Sequence, residues 1–207
     1  MHALILTPYL KEKIRTITDL DKINLILCAD TAYLAADAEG ITPHIVIGDF
    51  DHGTASAPEG RQDIMRVPCE KDDTDTMLCI KYAIEKGADK LTILGGIGGR
   101  LDHTFANLQA LAYAEKRGVS ATLKNGHNEA FLTSQSVRIP KRDGWYLSVF
   151  AYDGACEGIT IHGTKYELED VTLDTNFPLG VSNEITANFA EIGVKKGRLL
   201  IILSKKD

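Results

Sequence analysis

The chain has 207 residues, of which 44% are hydrophobic and 25% charged, and its formal net charge at pH 7 is -6. That length suits one large domain or two small ones, with enough apolar residues for a core that needs no disulfides. The acidic balance argues against a nucleic-acid partner, and no apolar stretch approaches the length that spans a membrane. Because the four cysteines form no C-x-x-C pair, a zinc knuckle is disfavoured, and a reducing cytoplasm is the simplest compartment.

Short apolar runs alternate with helical patterns through the first half of the chain. The runs resemble strands that are buried on both faces of a parallel sheet, and they cover 3–6, 23–28, 45–47 and 91–94. Helices are predicted over 31–39, 75–86 and 103–117. Thr74 is the expected N-cap of the second, and Phe105, Leu108 and Ala112 are expected on one apolar face of the third. Strand then helix, repeated, predicts an α/β unit.

The pattern changes at Asn125-Gly126, a strong turn signal. Short β-rich segments follow, punctuated by glycine turns, at 136–139, 146–151, 158–162, 185–190 and 198–203. This spacing is typical of an antiparallel sandwich or barrel. The sequence therefore predicts two domains, an α/β domain over 1–125 and a β domain over 126–207.

Two acidic motifs lie in the first half, one directly after the strand at 45–47. Asp49 and Asp51 are two residues apart, so in extended backbone their carboxylates point to the same side; a polar turn is the alternative. In Lys71-Asp72-Asp73-Thr74-Asp75, aspartates open a helix, where the helix dipole favours acidic side chains in any case. Three of them behind a lysine favour a carboxylate that reaches a metal and a lysine that reaches a phosphate.

Several carboxylates that meet in one pocket need a counter-ion. Two unit charges 4 Å apart repel by about 4 kcal/mol at an effective dielectric near 20. Carboxylate oxygens are hard ligands that suit Mg²⁺, and Mg²⁺ in proteins usually holds substrate phosphates as well. The acidic motifs therefore indicate nucleotide chemistry.

A glycine-rich loop, Gly95-Gly96-Ile97-Gly98-Gly99, lies between a predicted strand and a predicted helix. Glycines there let backbone N–H groups approach an anion, but the loop matches neither Walker A nor the full G-x-G-x-x-G pattern, so a tight turn is the alternative. Arg100 could grip phosphate with two hydrogen bonds. Asp102 could bind metal or accept a proton, and His103 could contact nucleotide or simply open the helix.

Ser182-Asn183-Glu184 precedes the predicted strand at 185–190. Serine and asparagine offer neutral donors and acceptors that suit the edge of an uncharged heterocycle. From this motif alone, a junction held by local turns is the better interpretation.

Taken in order, these motifs resemble those of bacterial thiamine pyrophosphokinases. The matching segments are Ile47–Asp51, Lys71–Asp75, Gly98–His103 followed by Ala106-Asn107-Leu108, Gly163–Leu168 and Val181–Glu184. The ordered set is specific although no single segment is. The resemblance implies a Rossmann-like first domain with a mostly parallel sheet and flanking helices, and a C-terminal antiparallel β-sandwich. It also implies a homodimer in which thiamine sits between the α/β domain of one subunit and the β-domain of the other.

The activity implied by the resemblance is transfer of pyrophosphate from ATP to the hydroxyl of thiamine, which gives thiamine diphosphate and AMP. Asp49, Asp51 and Asp75 would hold Mg²⁺. Arg100 and Lys71 would grip phosphates, and Asp102 would orient or deprotonate the hydroxyl or help to hold metal. The other implied contacts with nucleotide or thiamine are Asp30, Asp72, Gly98, Gly99, His103, Ser182 and Asn183.

Two positions depart from the family pattern: Thr31 and Ala32 replace the glycines that usually follow Asp30, and His52 stands where serine is usual. A non-catalytic thiamine- or nucleotide-binding protein that kept the fold is one alternative, supported by the altered segment after Asp30. A D-x-D phosphohydrolase is another, but that class has Thr or Val where this chain has Gly53.

Overall fold

The computed structural model describes residues 1–50, 62–70 and 72–206. The chain divides into two compact units, Met1–Gly126 and His127–Asp207, and the division falls at the turn of Asn125-Gly126. Four residues that the sequence singled out, Asp51, His52, Gly53 and Lys71, lie outside the described residues.

The first unit alternates strands and helices, as predicted. Its strands are β1 His2–Leu6, β2 Leu25–Ala29, β3 Ile45–Gly48, β4 Ile64–Arg66, β5 Lys90–Leu94 and β6 Ser120–Lys124. Its α-helices are α1 Ile14–Ile17, α2 Tyr33–Ala38, α3 Asp75–Glu85 and α4 Leu101–Glu115, with short 3-10 turns at Leu20–Lys22 and Asp30–Ala32. None of the helices in the described part of the chain is both long and apolar enough to cross a membrane.

The six strands form a parallel sheet in the order β6-β5-β1-β2-β3-β4. Strands β2 to β4 extend to one side of β1, whereas β5 and β6 lie on its other side, so the strand order reverses between β1 and β5. Ala3 through Leu6 have no exposed surface, because this central strand is covered on both faces. Ligands of such sheets bind beyond the carboxyl ends of the strands at the point of reversal.

Thr74 caps α3 as predicted, since its hydroxyl oxygen accepts a hydrogen bond from the Met77 backbone N–H at 3.2 Å. The apolar face predicted for α4 coincides only in part with the face that the helix buries, because Leu108 and Ala112 are half-buried and Phe105 is exposed. That helix buries Asn107, Ala110, Leu111 and Ala114, which follow the i, i+3, i+4, i+7 spacing of one helical face. Phe105 lies off that face and is 59% exposed.

Within its described residues, the second unit contains β-strands and no helix. They are β7 Asn128–Thr133, β8 Val137–Pro140, β9 Trp145–Ala151, β10 Cys156–His162, β11 Leu168–Leu173, β12 Gly180–Asn183, β13 Phe189–Gly193 and β14 Leu199–Lys205. One antiparallel sheet has the order β12-β9-β14-β7, and the other has the order β11-β10-β13-β8. Their inner faces share one apolar core that includes Leu147, Ile161 and Ile201. The predicted fold class, an α/β unit followed by a β-sandwich, is confirmed.

The predicted strand at 185–190 is misplaced. Ile185 makes one isolated bridge with Thr164. The N–H groups of Thr186 and Ala187 then both donate to the Gly163 carbonyl, at 3.0 and 3.1 Å. These long-range bonds to one carbonyl interrupt the ladder, and the chain bends at Ala187-Asn188, so the regular strand begins only at Phe189.

Candidate active site

A cleft of about 430 Å³ opens where the parallel strands of the first unit end. Thr7, Pro8 and Tyr9 follow β1, Ala29 ends β2 with Asp30 and Thr31 after it, and Asp49 follows β3. Thr74, Asp75 and Thr76 contribute the start of α3, and the side from β5 and α4 consists of Gly96, Arg100, His103 and Asn107. The cleft therefore occupies the position, beside the strand reversal, where open α/β sheets bind ligands.

Three carboxylates converge in this cleft. Asp30, Asp49 and Asp75 each offer an oxygen, and these atoms all lie within 4.8 Å of one another. Oδ1 of Asp30 and Oδ1 of Asp75 are shielded from solvent. Three negative charges held this close suit a hard divalent cation, because each pair repels by an amount on the order of 3–4 kcal/mol at an effective dielectric near 20.

Backbone geometry at β2 and β3 brings two of these carboxylates together. Asp30 has a φ of 47°, a left-handed conformation that aspartate tolerates better than most residues. A Cβ at Gly48 would lie 2.8 Å from the Asp30 Cα. Only glycine therefore allows the end of β3 to approach Asp30 so closely, which places the neighbouring Asp49 beside it.

The Cys79 thiol, which interacts with Asp75 of this cluster, is unsuited to a softer metal. Burial raises the pKa of the Cys79 thiol well above its usual value, and the neighbouring Cys28 and Asp75 act in the same direction. A thiol must lose its proton to bind zinc. The donor set of the cluster therefore consists of carboxylate oxygens, as Mg²⁺ prefers.

The remaining aspartates of the 72–75 motif lie apart from this cluster. Asp73 binds the Lys81 ammonium with both oxygens, at 2.8 and 2.6 Å, which ties the segment before α3 to the helix itself. Asp72 is exposed. Of the three aspartates in this motif, Asp75, in the first turn of α3, is the one that the structure brings to the cleft.

The glycine loop after β5 serves packing as well as access. A Cβ at Gly96 would lie 2.5 Å from the Asn107 amide nitrogen, and that nitrogen donates to the Gly96 carbonyl at 3.0 Å. The Gly98 N–H donates to the Thr104 hydroxyl at 3.2 Å, so this donor is used within the turn. Gly98 and Gly99 are exposed, whereas Gly96 lines the cleft.

Arg100 and Asp102 form an ion pair at the start of α4. Arg100 Nε and Nη2 donate to the two Asp102 oxygens at 3.1 and 2.5 Å. These hydrogen bonds hold the pKa of the Asp102 carboxyl below its usual value, and they raise the pKa of Arg100. Arg100 lines the cleft, whereas Asp102 is not among the residues that line it in the described part of the chain. The pair thus fixes the orientation of a guanidinium at the cleft.

Tyr9 is a cleft residue that sequence reasoning missed. Its ring makes an edge-to-face contact with His103, with 6.1 Å between the ring centroids and 72° between the planes. A Cβ at Gly99 would lie 2.9 Å from two ring carbons of Tyr9, so glycine is required for this placement. The available signal was its position directly after β1, at the strand reversal where ligands bind.

Ser182 and Asn183 belong to β12 of the second unit. Asn183 is buried, and its amide oxygen accepts from the N–H groups of Tyr166 and Glu184 at 3.0 and 2.9 Å. Its amide nitrogen donates to the Thr164 hydroxyl at 3.1 Å and to the Tyr166 carbonyl at 2.7 Å. These four bonds use the two donors and two lone pairs of the amide, so Asn183 acts as a clamp on the loop at 164–166. Ser182 is exposed, with a φ of 58°.

Asn183→Ala is expected to lower the free energy of unfolding of the second unit by about 1–3 kcal/mol, because it leaves buried peptide groups without partners. Urea denaturation followed by Trp145 fluorescence measures the change. Ser182→Ala, at the exposed neighbour, is the matched control. An Asn183→Ala midpoint equal to that of the parent would contradict the clamp.

Comparison with known proteins shows which family the chain belongs to. Residues 18–123 match the family model described as thiamin pyrophosphokinase, catalytic domain, and residues 134–199 match thiamin pyrophosphokinase, vitamin B1 binding domain. Thiamine pyrophosphokinase of Bacillus subtilis is 30% identical over 173 residues, covering 80% of each chain. Thiamin pyrophosphokinase 1 of Caenorhabditis elegans is 22% identical over 162 residues, covering 70% of this chain and 64% of its own.

Solved structures show the same fold. The crystal structure of thiamine pyrophosphokinase from Bacillus subtilis superposes with a TM-score of 0.86 at 24% identity, covering all of both chains. That of yeast thiamin pyrophosphokinase has a TM-score of 0.78 at 16% identity, covering 99% of this chain and 86% of its own. With both family models matched along one chain, this protein belongs to the thiamin pyrophosphokinase family.

Proposed function

We propose that the protein transfers the pyrophosphoryl group of ATP to the primary hydroxyl of thiamine, which gives thiamine diphosphate and AMP. The observation that carries the proposal is the convergence of Asp30, Asp49 and Asp75 with Arg100 in one cleft of a family member. A carboxylate cluster for a cation and a guanidinium for a phosphate are the two features that a site for a nucleoside triphosphate needs.

Mg²⁺ is the cation that we propose for the carboxylate cluster. Asp30, Asp49 and Asp75 would hold it, and we keep Asp51 as a further ligand on the strength of the family resemblance. When bound, Mg²⁺ supplies positive charge against the triphosphate oxygens. Lys71, also kept from the resemblance, and Arg100 would grip phosphates from the protein side.

The reaction makes and breaks one bond each at the β-phosphorus. The thiamine hydroxyl oxygen bonds to that phosphorus, the bond from it to the oxygen shared with the α-phosphorus breaks, and AMP departs with that oxygen. The hydroxyl proton passes to solvent or a basic side chain. Asp102 is a weak base for this proton because its pKa is held below the usual value, far from neutral pH. We therefore assign Asp102 to the orientation of Arg100.

Contacts with the nucleotide come from the first unit in this proposal. His103 lines the cleft and would meet ATP, and the glycine loop that contains Gly98 and Gly99 would admit it. Asp72 is exposed and would act at the rim.

The second unit would bind thiamine and pair two subunits into a homodimer. Apolar side chains are exposed on both units: Leu101 and Phe105 on α4 are 81% and 59% exposed, and Phe177 and Leu179 before β12 are 64% and 50% exposed. Because contiguous apolar patches mark surfaces that another chain covers, we propose these two pairs as parts of the subunit interface. Ser182 would contact thiamine, whereas Asn183 would hold the loop beside it. Light scattering should give twice the mass of one chain.

We place the protein in the cytoplasm. All four cysteines lie in the described part of the chain, and none of them forms a disulfide there, a state that a reducing compartment maintains.

An acceptor screen with AMP release as the readout tests the proposed reaction. Thiamine should stimulate AMP formation from ATP and Mg²⁺, whereas the isolated pyrimidine alcohol and the isolated thiazole alcohol should serve less well. ATP binding without any acceptor-dependent AMP would favour the alternative, a non-catalytic binding protein. A better rate with the pyrimidine alcohol would reassign the acceptor.

A further inference from the structure

We infer that Tyr9, paired with His103, is the platform on which the adenine base of ATP stacks, and so sets the preference for the nucleotide base. The inference rests on the proposed function, since it assigns a part of ATP to a part of the same cleft. Tyr9 and His103 both line the cleft. The roles of binding metal and phosphate are already assigned to other side chains, so these two rings are available to the base.

The geometry of the ring pair leaves an aromatic surface for a ligand. With 72° between the planes, one ring presents its edge to the other, and the centroids are 6.1 Å apart. Such a pair occupies at most one face of one ring. Both rings are half-buried, and the Tyr9 ring lies so close to Gly99 that a Cβ there would be 2.9 Å from it. The two rings therefore stand together in the cleft in the absence of a ligand.

Charge decides which ligand suits this platform. Thiamine carries a permanent positive charge on its thiazolium ring, and the Arg100 guanidinium lines the same cleft as Tyr9. With Mg²⁺ on the three carboxylates of this cleft, the thiazolium would meet two positive groups, the metal ion and Arg100, and would be repelled. A neutral base attached to a polyanion can instead stack on the rings while its phosphates bind those positive groups. A cleft of about 430 Å³ is within the size range of small-molecule sites.

The test measures binding by calorimetry, with Mg²⁺ present, for ATP, inorganic tripolyphosphate and thiamine. Tyr9→Leu keeps apolar bulk and removes the aromatic face, so it should raise the Kd for ATP about tenfold to hundredfold, the scale of one base–aromatic stack. The Kd for tripolyphosphate, which has no base, should stay the same. Tyr9→Phe is the matched control and should bind ATP within about threefold of the parent, since the ring remains.

Equal weakening of ATP and tripolyphosphate by Tyr9→Leu would overturn the inference, as would a larger effect on thiamine than on ATP. A second measurement needs only the parent protein. Purine triphosphates should bind more tightly than pyrimidine triphosphates because the larger base stacks better, and equal Kd values for ATP and UTP would also overturn it. A protein that binds ATP through Tyr9 but releases no AMP with thiamine would refute the proposed function alone.

Discussion

Replacing Asp75 with asparagine is expected to lower turnover by about 100-fold or more while the fold stays intact. Asparagine has nearly the same shape, but it removes one of three negative charges whose oxygens lie within 4.8 Å of one another. The cation, and with it the charge that offsets the triphosphate, would then be held more weakly. Steady-state rates at saturating Mg²⁺ measure the effect, with circular dichroism as the check on folding.

Thermal unfolding separates the loss of a metal ligand from the loss of a structural one. In a chelator, the Asp75→Asn protein should be at least as stable as the parent, because substitution relieves repulsion among the carboxylates. Added Mg²⁺ should raise the melting temperature of the parent more than that of the variant, since a cation that binds only the folded state stabilises it. Asp21→Asn, at an exposed position, is the control. Near-parental turnover would contradict the role of Asp75 as a metal ligand and would leave it a structural role at the start of α3.

Gly48→Ala is expected to lower turnover about tenfold to hundredfold and the free energy of unfolding by about 1–3 kcal/mol. The new Cβ would lie 2.8 Å from the Asp30 Cα and 3.2 Å from the Asp30 nitrogen. These are backbone atoms, so the clash can be relieved only by moving β3 or Asp30, and either movement spreads the carboxylates. Rates and urea denaturation of the same preparation measure the two effects.

Gly126→Ala provides the matched control for this substitution. The three atoms nearest its Cβ would all belong to the Glu12 side chain, with Cγ at 2.9 Å, and a flexible side chain can move aside. The control should therefore keep parental turnover. A Gly48→Ala enzyme as active as the control would show that the approach of β3 to Asp30 does not set the geometry of the site.

The buried strands were predictable from sequence because burial on both faces leaves a continuous apolar run. Ala3–Leu6 and Leu91–Leu94 are examples, and the structure buries both runs almost completely. Short strands with a mixed pattern, such as β12 Gly180–Asn183, gave no such signal. The strand at 185–190 was misplaced because a long-range contact decides its start: two N–H groups bond to the Gly163 carbonyl, 23 residues before Thr186.

The sequence predicted those site residues whose acidic side chains follow a strand or open a helix. Asp49 follows a strand, Asp75 opens a helix, and the fold brings both to one cleft. Tyr9 was missed because an aromatic residue after a strand resembles ordinary core, and only the strand order shows that β1 ends at the reversal. Asn183 was assigned to thiamine because sequence cannot show that four protein hydrogen bonds already occupy its amide.

Product analysis tests the central claim, pyrophosphoryl transfer, most directly. The purified protein is incubated with ATP, Mg²⁺ and thiamine, and phosphorus NMR identifies both the nucleotide and the thiamine products. Attack at the β-phosphorus predicts equal amounts of AMP and thiamine diphosphate, with neither formed by the Asp75→Asn protein at a comparable rate. ADP with thiamine monophosphate would contradict the account, because it would place the attack at the γ-phosphorus.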